Sequence, residues 1–318
     1  SFINMNFNGS NKNFQIDTAG RYLIHPDYNS IKDIYLRENR RYLNQNPISS
    51  SNVYLYKEPW GGDSYLLSAS NIKLSVSNHD DIIISDFKFY AYIRPTSGSH
   101  TTTNPFLIDN IGNFGFDYRQ EYIDYNLFYH IPNVNFVELN LCNGNDENEI
   151  VLYESMPDNI NYKKYITMPN KFINFVNASI TIGNCVIPNI PFCIDSGGEL
   201  PFINNSSGIL NTNNLKKNIG CNNQDNQDCD TGRLPGGWDT NNPNITCIKN
   251  NLTITLEGNQ NYDYDNSLII INESNKNYFK EIPYAFNSGY TFFKNNLVMY
   301  EKDNTNNTNN IYLKKKNV

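Results

Sequence analysis

Phe192-Cys193-Ile194-Asp195-Ser196-Gly197-Gly198, followed by Glu199-Leu200-Pro201-Phe202-Ile203, repeats in outline a stretch near the start of the chain. The earlier copy is Phe14-Gln15-Ile16-Asp17-Thr18-Ala19-Gly20, followed by Arg21-Tyr22-Leu23-Ile24. Each copy is an apolar strand that runs into an Asp, then a hydroxyl residue, then two small residues, then a second apolar run. One such turn is commonplace in surface loops. Two copies in matching contexts, with Asp195 following Asp17 by 178 residues in a chain of 318, read as two halves of one site. The strand delivers a carboxylate, and the small residues let the backbone turn tightly and approach a partner. The hydroxyls of Thr18 and Ser196 can hydrogen-bond across to the opposite turn. Two carboxylates held close enough to share a proton split into an acid and a base. One can then activate a water while the other, protonated, donates to a substrate carbonyl.

Further pieces follow in order along the chain. These are Asn8-Gly-Ser-Asn-Lys-Asn-Phe14 and the Gly-containing run Trp60-Gly61-Gly62-Asp63-Ser64. Asp109 to Phe116 ends Asn113-Phe114-Gly115-Phe116, and Gly289 is followed by Tyr290-Thr-Phe-Phe293 and Leu297-Val-Met-Tyr-Glu301. With the two carboxylate turns, this series resembles the pepsin-like aspartic proteases. The resemblance implies an all-β, bilobal fold of two β-barrel-like lobes with a central cleft. Residues 1–168 would form the N-terminal lobe with Asp17 and the flap, and residues 169–318 the C-terminal lobe with Asp195. It implies catalytic Asp17 and Asp195, supported by Thr18, Ala19, Gly20, Ser196, Gly197 and Gly198, beneath a flap led by Trp60, Gly61 and Gly62. A peptide or protein substrate would lie in the cleft, with apolar side chains at the scissile bond, and no cofactor or metal is implied.

The chain departs from the family pattern around the dyad. Gly20 and Gly198 stand where members carry a Ser or Thr whose hydroxyl bonds the outer aspartate oxygen, and Ala19 stands where they carry Gly. Trp60 replaces the flap Tyr, Ile24 replaces a Trp that bonds that Tyr, and Asn287-Ser288 replace two apolar residues ahead of Gly289. Geometry and pKa of catalytic carboxylates depend on such supporting bonds, so thinner support is expected. The leading function is therefore an aspartic endopeptidase working in the acid range, below about pH 6. The alternative is a pseudoprotease whose cleft binds a peptide, a protein or a glycan without cutting it.

Composition narrows the classes further. Tyr and Phe number 23 and 18, against two Trp, a mix suited to pleated sheet surfaces. The net charge of −7 leaves no basic stripe for nucleic-acid phosphates. The run Lys314-Lys315-Lys316 reads as a solvated tail, and no apolar stretch is long enough to span a bilayer. Six cysteines and sequons at Asn8, Asn177, Asn204, Asn205, Asn244, Asn251, Asn272 and Asn306 favour the secretory lumen or the cell exterior. Cys185 and Cys193 flank Val186 to Phe192, which reads as a turn joining two strands, and they are expected to bond and brace it. Cys247 is expected to pair with Cys221 or Cys229, leaving Cys142 with the remaining cysteine or unpaired.

Strands are expected at Phe14–Ile16, Asn52–Tyr56, Tyr65–Ser75, Ile82–Ile93, Phe136–Leu141 and Ile150–Tyr153. More follow at Ala178–Ile182, Leu252–Leu256, Leu268–Ile271, Leu297–Tyr300 and Ile311–Lys314, with a short helix within Gln120–Tyr129. His25, His79, His100 and His130 show no metal-ligand spacing. The acidic loop around Cys221 and Cys229 lacks the EF-hand pattern, and Ser196 has no Gly-x-Ser-x-Gly setting.

Overall fold

A computed structural model describes residues 2–37, 55–57, 63–75, 80–93, 110–117, 122–141, 148–158, 161–168, 175–198, 201–211, 245–249, 252–257, 260–264, 267–272, 284–302 and 309–316. The protein is predominantly β, and its described strands form sheets of eight, five and eight strands. Alternation explains some of them: Val176–Ile182 and Leu252–Leu256 bury every other side chain, as half-buried strands do. Phe14, Ile16, Phe87, Phe89, Phe192, Ile254 and Phe286 belong to a core that runs through all three sheets.

The two eight-stranded sheets share one path. In the first, Ser10–Asp17 lies parallel to Gly112–Gly115, with Asp17 opposite Gly115. Gly112–Gly115 is antiparallel to Leu23–His25, which lies parallel to Ile82–Tyr92. In the second, Cys185–Cys193 lies parallel to Ala285–Asn287, which is antiparallel to Phe202–Asn204, itself parallel to Ser267–Ile271. Each carboxylate strand thus leaves the sheet, turns and returns with a later strand inserted between its two arms. Hairpins precede both: Phe2–Phe7 pairs with Ser10–Asp17 around Asn8 and Gly9, whose φ values of 50° and 83° suit a tight turn. Phe175–Ile182 pairs likewise with Cys185–Cys193.

The five-stranded sheet mixes both halves of the sequence. Glu149–Tyr153, Phe136–Asn140 and Lys163–Ile166 come from before residue 168, while Asn296–Glu301 and Asn310–Lys315 come from the C-terminal end. Lys314 and Lys315 are accordingly part of this sheet rather than a tail, and Lys316 directly follows its last strand. Lys316 Nζ donates to Leu141 O at 2.8 Å, and Lys314 lies over the Tyr162 ring.

One expected turn is a strand. Cys185–Cys193 runs unbroken, and the register shift opposite Ala178 and Ile180 absorbs Pro188 and Asn189 in a bulge. Asn189 adopts φ 52° there. Pro and Asn are turn formers, which explains the misreading, but a bulge accepts both. Cys185 and Cys193 therefore end the same strand, opposite Ile182 and Phe175, and both are thiols. Eight residues of extended chain separate them by about 26 Å, far beyond the reach of a disulfide. Cys247 is disulfide-bonded; Cys142, Cys221 and Cys229 lie outside the described residues. The expected helix near Gln120–Tyr129 is two 3-10 turns, Ile123–Tyr125 and Leu127–His130.

Candidate active site

Thr18 and Ser196 are buried, and their hydroxyls lace the two carboxylate turns together. Thr18 Oγ1 donates to Ile194 O at 2.6 Å and accepts from Ser196 N at 2.9 Å. Ser196 Oγ donates to Ile16 O at 2.7 Å and accepts from Thr18 N at 3.1 Å. Each hydroxyl thus uses its donor and an acceptor position on backbone groups that a dry interior would otherwise leave unpaired. Gln15 Nε2 adds a bond to Gly197 O at 2.7 Å. The turns meet so closely that a Cβ on Gly197 would lie 2.5 Å from Asp17 Oδ1.

This lacing sets the two buried carboxyls beside each other, close enough for each to act on the other's titration. Asp17 Oδ1 accepts from Ala19 N at 3.1 Å, so the extra methyl at this position leaves the turn intact. Asp195 Oδ1 accepts from Gly197 N at 2.8 Å and Gly198 N at 3.2 Å. Ser288 Oγ accepts from the Asp195 backbone N–H at 2.9 Å, and Ser288 N donates to Cys193 O, also at 2.9 Å.

Two contacts were not foreseen from the sequence. Asn113 Nδ2 donates to Asp17 Oδ2 at 3.3 Å, and Asn287 Nδ2 donates to Asp195 Oδ2 at 2.6 Å. The donors expected to be missing with Gly20 and Gly198 are therefore supplied by carboxamides from elsewhere in the chain. The sequence signal was the departure at Asn287; what it touched depended on pairing between distant strands.

Burial, and then the neighbouring Asp195 carboxylate, push Asp17 up to about 7, against the opposing pull of Asn113 and the Ala19 and Gly20 amides. Burial also raises Asp195, while Asn287, the Gly197 and Gly198 N–H groups and Asp17 pull it back. Both carboxyls are raised, so the pair releases its protons in two steps that belong to the dyad, with one proton shared in between. A carboxyl raised in the folded state stabilises the fold below its unfolded pKa, and that contribution is lost as pH rises through its folded value. For Asp17 the loss runs from about pH 4 to about pH 7. Asp17→Asn removes this dependence. The variant is expected to match the wild type near pH 3 and to exceed it at pH 8 by on the order of 2–4 kcal/mol, which paired urea titrations would read.

The Trp60, Gly61 and Gly62 flap position lies outside the described residues. The strands flanking it pair as a hairpin, with Lys57 opposite Asp63. Ile24 is buried with Leu66, Tyr90 and Tyr92. Tyr22 packs against this cluster, tilted 4.8 Å from the Tyr90 ring and edge-on 5.2 Å from Tyr125. This tyrosine cluster was not foreseen either, because its rings come from three separate segments. His25 is buried beside Phe7 and Phe14, and burial lowers its pKa to about 4, so its ring is neutral near pH 7. Among the described residues no group of His, Cys, Asp and Glu could hold a metal. The chain matches no protein-family model and no curated protein.

Proposed function

We propose that the chain is a bilobal, pepsin-like aspartic endopeptidase, with lobes over residues 1–168 and 169–318 and the dyad between them. The observation that carries this reading is the reciprocal Thr18–Ser196 lacing, which brings two buried carboxyls together where the two turns meet. Such an arrangement has an evident chemical use. Ionised Asp195 takes a proton from the attacking water while protonated Asp17 donates to the scissile carbonyl oxygen. Asp195 then gives that proton to the leaving amine as the C–N bond breaks, while Asp17 takes a hydroxyl proton back from the tetrahedral adduct, which becomes the new carboxyl, and the dyad is restored. A peptide or protein is the substrate, and no cofactor enters the chemistry. Among the described residues no helix is long and apolar enough to cross a membrane. The sequons and the disulfide-bonded Cys247 support a secretory or extracellular setting.

The competing reading, a cleft that binds without cutting, draws on Gly20 and Gly198 in place of hydroxyl residues. Asn113 and Asn287 weaken it, because they return one donor to each carboxyl. With Asp17 raised to about 7, activity should persist from moderately acid pH to near neutrality and fall as pH climbs beyond 7. An unfolded protein substrate incubated across pH 3–9 tests this, alongside binding of a transition-state mimic of the pepstatin type. Absence of cleavage across the whole range, with a partner still bound in the cleft, would favour the pseudoprotease.

A further inference from the structure

Asn113 and Asn287 occupy equivalent places in the two repeated sheet paths. Each stands two residues ahead of a glycine, Gly115 or Gly289, on the strand inserted beside a carboxylate turn. Asn113 lies opposite Gln15 and Asn287 opposite Cys193, each two residues ahead of an aspartate. Both are buried, and both aim Nδ2 at the same oxygen of their aspartate. A Cβ on Gly20 would fall 2.7 Å from Asp17 Oδ2 and 3.2 Å from Asn113 Nδ2. A Cβ on Gly198 would fall 3.1 Å from Asn287 Oδ1 and 3.3 Å from Asp195 Oδ2. A side chain at position 198 thus competes first with the Asn287 carboxamide, and one at position 20 presses first on the Asp17 carboxyl and then on Asn113.

We propose that Asn113 and Asn287 are the positioning residues of the dyad. Each takes over the outer-oxygen hydrogen bond that a hydroxyl residue at position 20 or 198 would make, and those positions are glycine to leave it room. The exchange is not symmetric, and the asymmetry divides the roles of the two carboxyls. Asn287 Oδ1 accepts from Gly289 N at 2.9 Å, which fixes the amide with its donor on Asp195. In the other half Gly115 N donates instead to Tyr22 O at 3.1 Å, and Asn113 Oδ1 is buried with no partner among the described residues. The anchored amide makes the 2.6 Å bond and the unanchored one the 3.3 Å bond. The shorter, better-held bond favours charge on Asp195 and leaves the proton on Asp17.

The catalytic meaning of this pair rests on the endopeptidase reading, while its effect on titration does not, and the test separates the two. Asn287→Leu keeps the approximate volume and removes the donor. It is expected to move the acid limb of the pH–rate curve up by about one unit and to lower kcat more than it raises KM. Asn113→Leu should move the alkaline limb upward by less. The double exchange Asn287→Ala with Gly198→Ser puts a hydroxyl into the vacated space and should bring the acid limb back towards that of the wild type. Carboxyl 13C titrations of Asp17 and Asp195 on the same proteins read the shifts without catalysis. If the wild type cuts nothing yet these shifts appear, the endopeptidase reading fails and the positioning role stands. A folded Asn287→Leu protein with unchanged Asp195 titration overturns the proposal. Should that variant not fold, a double exchange that leaves Asp195 titrating well above the wild type overturns it equally.

Discussion

Replacing Asp195 by Asn is expected to lower peptide hydrolysis by about 10²–10⁴-fold or more at every pH. The carboxamide is close to isosteric with the carboxyl, but its single carbonyl oxygen can accept either from Asn287 or from the turn amides and not from both, and it has no basicity with which to take a proton from water. Asp17→Asn should lose as much for a different reason. An amide N–H can still face Asp195, yet it cannot give up its proton to the carbonyl oxygen as that oxygen gains charge. Because both changes sit at the end of turns held by Thr18 and Ser196, neither should unfold the protein, and circular dichroism beside the assay keeps the two effects apart. Equal residual cleavage in the wild type and both variants would place the chemistry elsewhere.

The second large effect falls on stability. Thr18→Val removes a hydroxyl that donates to Ile194 O and accepts from Ser196 N, both in a buried setting. Valine keeps the branched shape, so the loss is almost wholly one of hydrogen bonding, and it leaves an unpaired N–H and an unpaired carbonyl. At roughly 1–3 kcal/mol for each stranded group, the variant should lose about 2–5 kcal/mol. Ser196→Ala strands Ile16 O and Thr18 N in the same way. The paired variant should fall short of the sum, since all four bonds belong to one network. Chemical denaturation of the three proteins measures this, and additive, small losses would show that the turns do not depend on each other.

Much of the architecture was legible in local sequence. Strands such as Leu252–Leu256 alternate apolar and polar residues, and a period of two marks a half-buried strand whatever surrounds it. The dyad was legible because its signal was doubled: Asp17 and Asp195 sit in the same local pattern, and their hydroxyl neighbours had only one plausible use. Local signals misled where the chain uses turn-forming residues inside a sheet. Pro188 and Asn189 announced a turn, yet pairing with Phe175–Ile182 on one side holds them in a bulged strand.

What the sequence determined by itself is what depends on neighbours along the chain: which segments extend, where carboxylates end strands, and that two such ends match. What the tertiary structure alone decided is which distant atoms meet. Asn113 lies 96 residues from the aspartate it touches and Asn287 lies 92 residues from its own. No local propensity links such positions. Their amides reach the carboxyls because a later strand is inserted, in parallel, beside each carboxylate strand, and because glycine at positions 20 and 198 leaves the space open. The absence of a hydroxyl in the sequence was therefore real, but the lost hydrogen bond was not, since donors in a packed core can be supplied from any segment that the sheet brings within reach.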